Sequence, residues 1–212
     1  MQQYLGLGDT CLHSAVANFD LALTRVDWDQ GEIQLVALAA LQAAAKMEED
    51  AAPAPSLLLP LAGDVYTKQD LARIELELLQ ALDWQVRQTT AATFLQFYAD
   101  IAGKGRKPVF KMARALLDLC LAQDWYGTRS PSYLAAACLG AAGCLTGQPW
   151  CDQLTLTTRF TWTKLTEGLH AVLSAAVADQ VSSFSRSSLF LSFRSIVFLI
   201  TQSTSHQGDM QI

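Results

Sequence analysis

Two charged residues interrupt apolar helical patterns in this chain, and they are its most informative chemical feature. Lys46 ends an alanine-rich apolar stretch, and Glu75 lies within the leucine pattern of the next long helical segment. On a helical wheel of about 100° per residue, Glu75 falls between Leu82 and Leu79, in the middle of the apolar arc. A charge among apolar side chains is costly unless it is paired. These residue types therefore predict either a salt bridge within the chain or a charged contact with a partner.

The other ionisable residues do not form a catalytic pattern. The histidines are isolated, and none has metal-ligand spacing; no Ser–His–Asp arrangement follows from spacing either. The basic loop at 103–107 lacks the GxxxxGK[ST] pattern and a preceding strand, so it does not predict a phosphate-binding loop. We therefore expect no enzymatic activity, no metal site and no cofactor. The three histidines, predicted at surface or boundary positions, are His13, His170 and His206.

The composition indicates a globular protein with reduced thiols and without a nucleic-acid surface. Hydrophobic residues make up 51% of the 212 residues and charged residues 17%, which is typical of a chain with a buried core. The net charge of −5 disfavours nucleic-acid binding, which needs an excess of Lys and Arg. The five cysteines include no CxxC pair, so we expect reduced thiols and a nuclear or cytoplasmic location. We also expect no secretory signal.

Apolar residues recur at helical spacing almost throughout, which predicts an all-α fold. Helices are expected at about 9–24, 30–49, 67–82, 90–102, 107–122, 131–146 and 161–179, with a short helical turn before the last. Thr67 and Asp70 have the spacing of a capping box. Ser130 and Pro131 form a cap followed by a proline at the first helical position. The prolines at 51–61 exclude a continuous helix between the second and third helices.

One internal repeat divides the chain. The small-residue pattern at 35–44 matches the pattern at 133–142, and both segments are apolar nearly all round, as expected for helices enclosed by others. The predicted organisation is a first domain at 1–86, a second at 87–180 and a serine-rich apolar tail at 181–212. In this alignment Lys46 falls opposite Cys144. The repeated fold therefore does not require a lysine at that position.

Four segments resemble the motifs of the cyclin box, in the order in which that family has them. They are 44–49 (AAKMEE), 66–84 (from YTK through IE to LDW), 89–95 (TTAATFL) and 131–137 (PSYLAAA). The resemblance covers about 10–178, and its Thr-Ala-Ala and Phe-Tyr details lean toward J-type cyclins. It implies two stacked cyclin-type helical repeats.

The resemblance also implies a site and a partner. In the cyclin family, the Lys of the Lys-x-Glu-Glu segment and a Glu of the following long helix bind a kinase beside its regulatory helix. These positions correspond to Lys46 and Glu75, and Glu48 and Glu49 complete the segment. The resemblance therefore implies that the chain binds and activates a cyclin-dependent kinase in cell-cycle control, with these four residues at the contact. It favours a partner contact for the pair over an internal salt bridge.

Both ends depart from the cyclin pattern. No counterpart of the family's first helix, which carries a substrate-docking patch, precedes Tyr4, so we expect a first repeat that lacks its N-terminal helix. The apolar run at 189–200 contains Arg194 and is too short for a convincing transmembrane helix. We expect an extended or poorly ordered tail and no membrane anchor.

Two other functions fit the same features. One is a cyclin-fold adaptor that binds other proteins, for instance in transcription, without activating a kinase. A basic surface would support an adaptor with nucleic-acid contacts, and the acidic balance speaks against it. The other is a truncated isoform that activates no kinase, which the atypical ends suggest.

Overall fold

The structure, a computed structural model, describes residues 5–63, 65–102, 107–148 and 150–182. Within these ranges the chain forms helices joined by turns and no strand, so the predicted all-α fold is confirmed. The chain divides after Thr93 into two compact units. The loop at 103–106, His206 and the tail beyond Ser182 lie outside the described residues.

The first unit is built around one enclosed helix. Its elements are α1 (Asp9–Arg25), α2 (Ile33–Glu48), α3 (Pro55–Leu58) and α4 (Lys68–Ala81), with 3₁₀ turns at Gln30–Glu32 and Leu59–Ala62. Ten residues of α2 are buried because α1 and α4 pack along it. The alanines of α2 let both neighbours approach closely. The expectation that this segment is a helix enclosed by others is confirmed.

Two details of the first unit differ from the sequence prediction. The second helix begins at Ile33, and Gln30–Glu32 forms a separate 3₁₀ turn, because the Asp29 carboxylate accepts a hydrogen bond from the Gly31 amide at 3.4 Å. The proline-rich connection lacks a continuous helix, as predicted, but contains the short α3 and a second 3₁₀ turn, which the sequence did not predict. In each of these the proline occupies one of the first two positions, where the missing N–H removes no helical hydrogen bond.

The predicted capping box fixes the start of α4. The Asp70 amide donates to Thr67 Oγ1 at 3.2 Å, and the Thr67 amide donates to Asp70 Oδ2 at 2.9 Å. From this start, helical spacing buries Leu71, Ile74 and Leu78 completely. The capping box thus sets which face of α4 enters the core, and Glu75 follows at the edge of that face.

The second unit repeats the same plan. Its elements are α6 (Lys107–Cys120), α7 (Pro131–Thr146), α8 (Asp152–Thr158) and α9 (Trp162–Ser182), with a 3₁₀ turn at Tyr126–Thr128, while α5 (Ala91–Ala102) crosses the division between the units. Every residue of α7 from Leu134 to Gly143 is buried, and α6 and α9 pack against it. Thr90 caps α5 by accepting from the Thr93 amide at 3.3 Å. Pro131 opens α7 as predicted, although the Ser130 side chain makes no capping bond.

Gly168 allows α9 to approach α7 closely. A Cβ atom at this position would lie 2.7 Å from Cε1 of Tyr133, which is closer than real contacts allow. The Gly168 amide instead donates to Tyr133 Oη at 3.0 Å, and that hydroxyl donates to the Lys164 carbonyl at 3.2 Å. A glycine is therefore required for this helix contact.

Candidate partner-binding site

Lys46 and Glu75 are brought together by the packing of α2 against α4. Lys46 lies in the last turn of α2 and Glu75 in the middle of α4. The Lys46 Nζ atom donates to Glu75 Oε1 at 2.5 Å. A cation at a helix C-terminus is also stabilised by the helix dipole. The internal salt bridge, which the sequence left open as an alternative, is therefore present in the chain.

The two partners of this salt bridge differ in exposure. The Glu75 side chain is 14% exposed and the Lys46 side chain 49% exposed. The carboxylate thus lies at the rim of the apolar core and not in its middle, where the helical wheel puts it, and the ammonium covers it from the solvent side. An ammonium has three protons to donate, and within the described residues Lys46 uses one of them. The pair can therefore bind a further acceptor without breaking its own bond.

Glu48 and Glu49 contact the first helix instead of the pair. Glu48 Oε1 accepts from Ser14 Oγ at 3.1 Å, and Glu49 Oε1 accepts from the Gly8 amide at 2.7 Å. Gly8 is the residue that precedes α1, where backbone amides lack helical partners. These two glutamates therefore join the end of α2 to the start of α1. Their predicted contact with a kinase stays a prediction.

The same two carboxylates raise the pKa of a buried thiol. Cys11 lies in α1 and has no exposed surface. Burial, and after it the negative charges of Glu49 and Glu48, raises the pKa of Cys11 from 9.0 to about 12. Both effects disfavour the thiolate. Cys11 is therefore a neutral packing residue and not a nucleophile.

The turn after α4 carries an exposed tryptophan. Asp83 and Trp84 adopt left-handed backbone angles, with φ of 51° and 63°, which are unfavourable for residues other than glycine. The Arg25 guanidinium holds this turn through Asp83 Oδ2 at 2.9 Å and the Ala81 carbonyl at 2.8 Å. The Trp84 side chain remains 64% exposed.

The residues that follow this turn return to the end of α2. The Trp84 amide donates to the Leu79 carbonyl at 2.9 Å, and Arg87 Nη2 donates to the Met47 carbonyl at 3.3 Å. Met47 and Leu76, the neighbours of the paired residues in sequence, are also exposed large apolar side chains. We call Lys46, Glu75 and the exposed residues Met47, Leu76 and Trp84 the pair surface, because Met47 and Leu76 adjoin the pair in sequence and Trp84 lies on the turn after α4. It combines one charge pair with three exposed apolar side chains.

Sequence reasoning assigned only two residues of the pair surface. Met47 and Trp84 belong to the motifs quoted above, but no role followed for them from the sequence alone. The sequence signal that could have suggested a role for Trp84 was its position directly after a predicted helix and next to Asp83. A large aromatic side chain there is either buried by the next segment or left open to a partner. Only the structure separates these cases.

The residues considered for catalysis are not brought together. His13 lies in α1 and His170 in α9, and His13 is fully buried rather than at the predicted surface or boundary position. In the described part of the chain no three His, Cys, Asp or Glu side chains are grouped so that they could hold a metal ion. The five cysteines form no disulfide; Cys138 is buried and Cys144 is half-buried.

Comparisons with known proteins identify the family. Residues 1–87 match the family described as "Cyclin, N-terminal domain", and residues 89–197 match "Cyclin, C-terminal domain". The chain belongs to the cyclin family. A viral cyclin from herpesvirus saimiri has the same fold, with a TM-score of 0.71, 19% identity, and 82% of this chain and 78% of the viral chain covered. The two predicted cyclin-type repeats are therefore confirmed.

Two relatives illustrate how far the likeness extends. The G2/mitotic-specific cyclin-B3 of Mus musculus is 32% identical over 59% of this chain and 9% of its own length. Cyclin-J of Xenopus laevis is 29% identical over 78% of this chain and 50% of its own length. The chain thus spans half or less of these relatives. Because the identities to these two relatives are 32% and 29%, they do not assign the chain to either the J-type or the mitotic cyclins.

Among the described residues, no helix is both long and apolar enough to cross a bilayer. The apolar run at 189–200 lies outside the described residues.

Proposed function

We propose that this cyclin binds and activates a cyclin-dependent kinase through the pair surface, as a regulator of the cell cycle. The observation that carries the proposal is the arrangement of Lys46 over Glu75. A half-exposed ammonium is fixed above a nearly buried carboxylate, and an exposed apolar residue follows each of the two in sequence. The mitotic relative among the cyclins that this chain matches supports the cell-cycle role.

The pair surface is suited to a peptide backbone. The ammonium can donate to carbonyl oxygens at the end of a partner helix, and the carboxylate can accept from a backbone or side-chain donor. Both groups are held on packed helices, so little conformational entropy is lost on binding. Met47, Leu76 and Trp84 would add apolar burial at about 25 cal/mol per Å². Charge would set the register of the partner, and apolar contact would supply most of the affinity.

Activation would be conformational, and this chain would contribute no catalytic group. A protein kinase needs its own Lys–Glu ion pair and a metal-binding Asp in place, and the position of its regulatory helix controls both. A partner that binds the active arrangement more tightly shifts the population toward it. The proposed location is the nucleus or the cytoplasm, where thiols stay reduced, in keeping with five free cysteines.

A second candidate function is that of a cyclin-fold adaptor without kinase activation. It is favoured by the salt bridge itself, because Lys46 and Glu75 satisfy each other within the chain and do not require a kinase. The exposed apolar residues of the pair surface would then bind a different protein. The two candidates share a docking surface and differ in whether a kinase gains activity.

A reconstitution assay distinguishes these candidates. The full chain is mixed with each member of a panel of cyclin-dependent kinases, and phosphate transfer to a peptide is measured. We expect strong activation of at least one kinase, and its loss in the Lys46→Ala/Glu75→Ala double variant. A matched control is Arg129→Ala/Glu167→Ala, which removes another exposed ion pair, between the segment before α7 and α9, in the second unit. Activation of a kinase would overturn the adaptor, whereas the absence of activation across the panel, with or without binding, would overturn the kinase-activator function and favour the adaptor.

A further inference from the structure

A cleft in the second unit is independent of the pair surface. It has a volume of about 700 Å³, within the range of small-molecule sites. It lies where the end of α7, the start of α8 and the start of α9 meet. The lining residues are Gly143, Cys144, Gly147, Trp150, Cys151, Asp152, Thr155, Thr161 and Trp162. The proposed kinase contact uses none of these residues.

Two tryptophan rings form the aromatic part of this cleft. The ring centroids of Trp150 and Trp162 lie 6.3 Å apart, with the rings inclined by 45°. Both rings pack at Gly140 of α7, where an added Cβ would lie 3.4 Å from Trp162 Cζ3 and 3.6 Å from Trp150 Cε3. Trp150 Nε1 also donates to Thr155 Oγ1 at 2.9 Å. The rings are thus held in place before any ligand binds.

The two rings lie close enough to act on one cation. A cation is attracted to a tryptophan face within about 6 Å of the ring centroid, and the two centroids are separated by little more than that distance. The rings are too close for an ion to lie between them. A cation in the open part of the cleft can therefore contact both rings from one side.

The charge of the lining favours a cation as well. Asp152 is the one charged side chain among the lining residues, and it forms no ion pair with the described part of the chain. Burial raises the pKa of the Cys144 thiol, so this group stays neutral at physiological pH. No Lys, Arg or His lines the cleft. The Asp152 carboxylate would repel an anionic ligand, whereas it would attract a cationic one.

The chemistry of the walls selects a methylated cation. A bare ammonium is strongly hydrated and requires acceptors for three protons. Besides the Asp152 carboxylate, the lining offers two indole rings and the hydroxyls of Thr155 and Thr161, one of which already accepts from Trp150. A quaternary ammonium carries its charge on methyl groups that contact aromatic faces without needing hydrogen bonds. A quaternary ammonium therefore loses less hydration free energy than a bare ammonium on entering this cleft.

We propose that this cleft binds a methylated ammonium group, carried either by a methylated lysine side chain or by a choline-type small molecule. The Trp150 and Trp162 rings contact the methyl groups, and the Asp152 carboxylate supplies the counter-charge. The volume exceeds that of the head group alone, so part of the attached chain also enters. This inference does not depend on kinase binding, and either proposal can fail without the other.

The test uses the indole N–H signals of the full chain in two-dimensional NMR. The chain has five tryptophans, of which Trp28, Trp84 and Trp125 lie outside the lining and serve as internal references. The probes are tetramethylammonium, choline and a trimethyl-lysine peptide. We expect the Trp150 and Trp162 signals to shift with saturation and the reference signals to stay in place. No shift up to millimolar probe would overturn the proposal.

Two comparisons isolate the charge and the methyl groups. The neutral choline isostere 3,3-dimethylbutanol and the unmethylated lysine peptide should each bind several-fold more weakly than their counterparts. Asp152→Asn should weaken binding about fivefold, and the exposed control Asp124→Asn should leave it unchanged. Equal binding of the neutral isostere, or no effect of Asp152→Asn, would contradict a cation site. Tighter binding of the peptide than of choline assigns the ligand to methylated lysine, and the reverse order assigns it to a small molecule.

Discussion

The Lys46 ammonium lies 2.5 Å from the Glu75 carboxylate, and the two side chains are exposed by 49% and 14%. This asymmetry assigns different tasks to the two partners. Glu75 belongs to the rim of the core formed by α2 and α4, and Lys46 belongs to the surface. The salt bridge therefore contributes to the fold through Glu75 and presents a charge to solvent through Lys46.

This asymmetry predicts unequal effects of two charge-removing variants. Lys46→Met leaves a nearly buried carboxylate without its cation and should lower the free energy of unfolding by about 1 kcal/mol or more. Glu75→Gln leaves an ammonium that water can hydrate, and should cost about half as much. The double variant should recover part of the Lys46→Met loss. Urea unfolding measures all three, and equal losses for the single variants would contradict the assigned roles.

The thiol of Cys11 predicts a loss of stability at alkaline pH. Its pKa is raised from 9.0 to about 12 in the folded chain, so above pH 9 the unfolded state loses a proton that the folded state keeps. A raised pKa of this kind stabilises the fold fully below pH 9 and progressively less as the pH rises toward 12. We expect Cys11→Ala to reduce the fall in melting temperature between about pH 8 and about pH 10. Identical pH profiles for the variant and wild type would refute this expectation.

The contact of α9 with α7 depends on the missing side chain of Gly168. An alanine there would place its Cβ 2.7 Å from the Tyr133 ring, so Gly168→Ala should destabilise the chain by about 1–3 kcal/mol. Gly127→Ala is the matched control, because a Cβ at Gly127 meets nothing within 4 Å. Thermal unfolding compares the two variants. A melting temperature for Gly168→Ala as high as that of the control would show that the helices can separate at little cost.

Local signals in the sequence were sufficient for most helix positions. The capping box of Thr67 and Asp70 and the proline at 131 mark helix starts by short-range chemistry, which a sequence displays directly. The small-residue patterns at 35–44 and 133–142 identified the enclosed helices α2 and α7 for a similar reason, since apolar residues all round one helix leave no solvent-facing side.

Contacts between residues far apart in the sequence could not be predicted from such local signals. The hydrogen bonds of Glu48 to Ser14 and of Glu49 to Gly8 join residues about 34 and 41 positions apart, and no periodicity encodes them. The exposure of Trp84 depends on a turn with two left-handed residues, which propensity disfavours. The cleft beside Trp150 requires the ends of three helices to meet. Each of these features is set by tertiary packing.

Trp84 provides a prediction that separates binding from stability. Its side chain is 64% exposed, so Trp84→Ser should change the free energy of unfolding by less than about 0.5 kcal/mol. An aromatic side chain at the centre of an interface commonly contributes 2 kcal/mol or more, and its loss should weaken kinase binding by about thirtyfold. Calorimetry with the kinase that the chain activates gives the affinity. Unchanged affinity would remove Trp84 from the pair surface.

The affinity of the Lys46→Ala/Glu75→Ala double variant for that kinase tests the central claim most directly. Because removal of both charges leaves no unpaired group in the core, the variant should unfold at nearly the wild-type urea concentration. We predict that its dissociation constant rises by about tenfold or more, while the Arg129→Ala/Glu167→Ala control binds as the wild type does. A double variant that stays folded and binds the kinase with wild-type affinity would contradict the account.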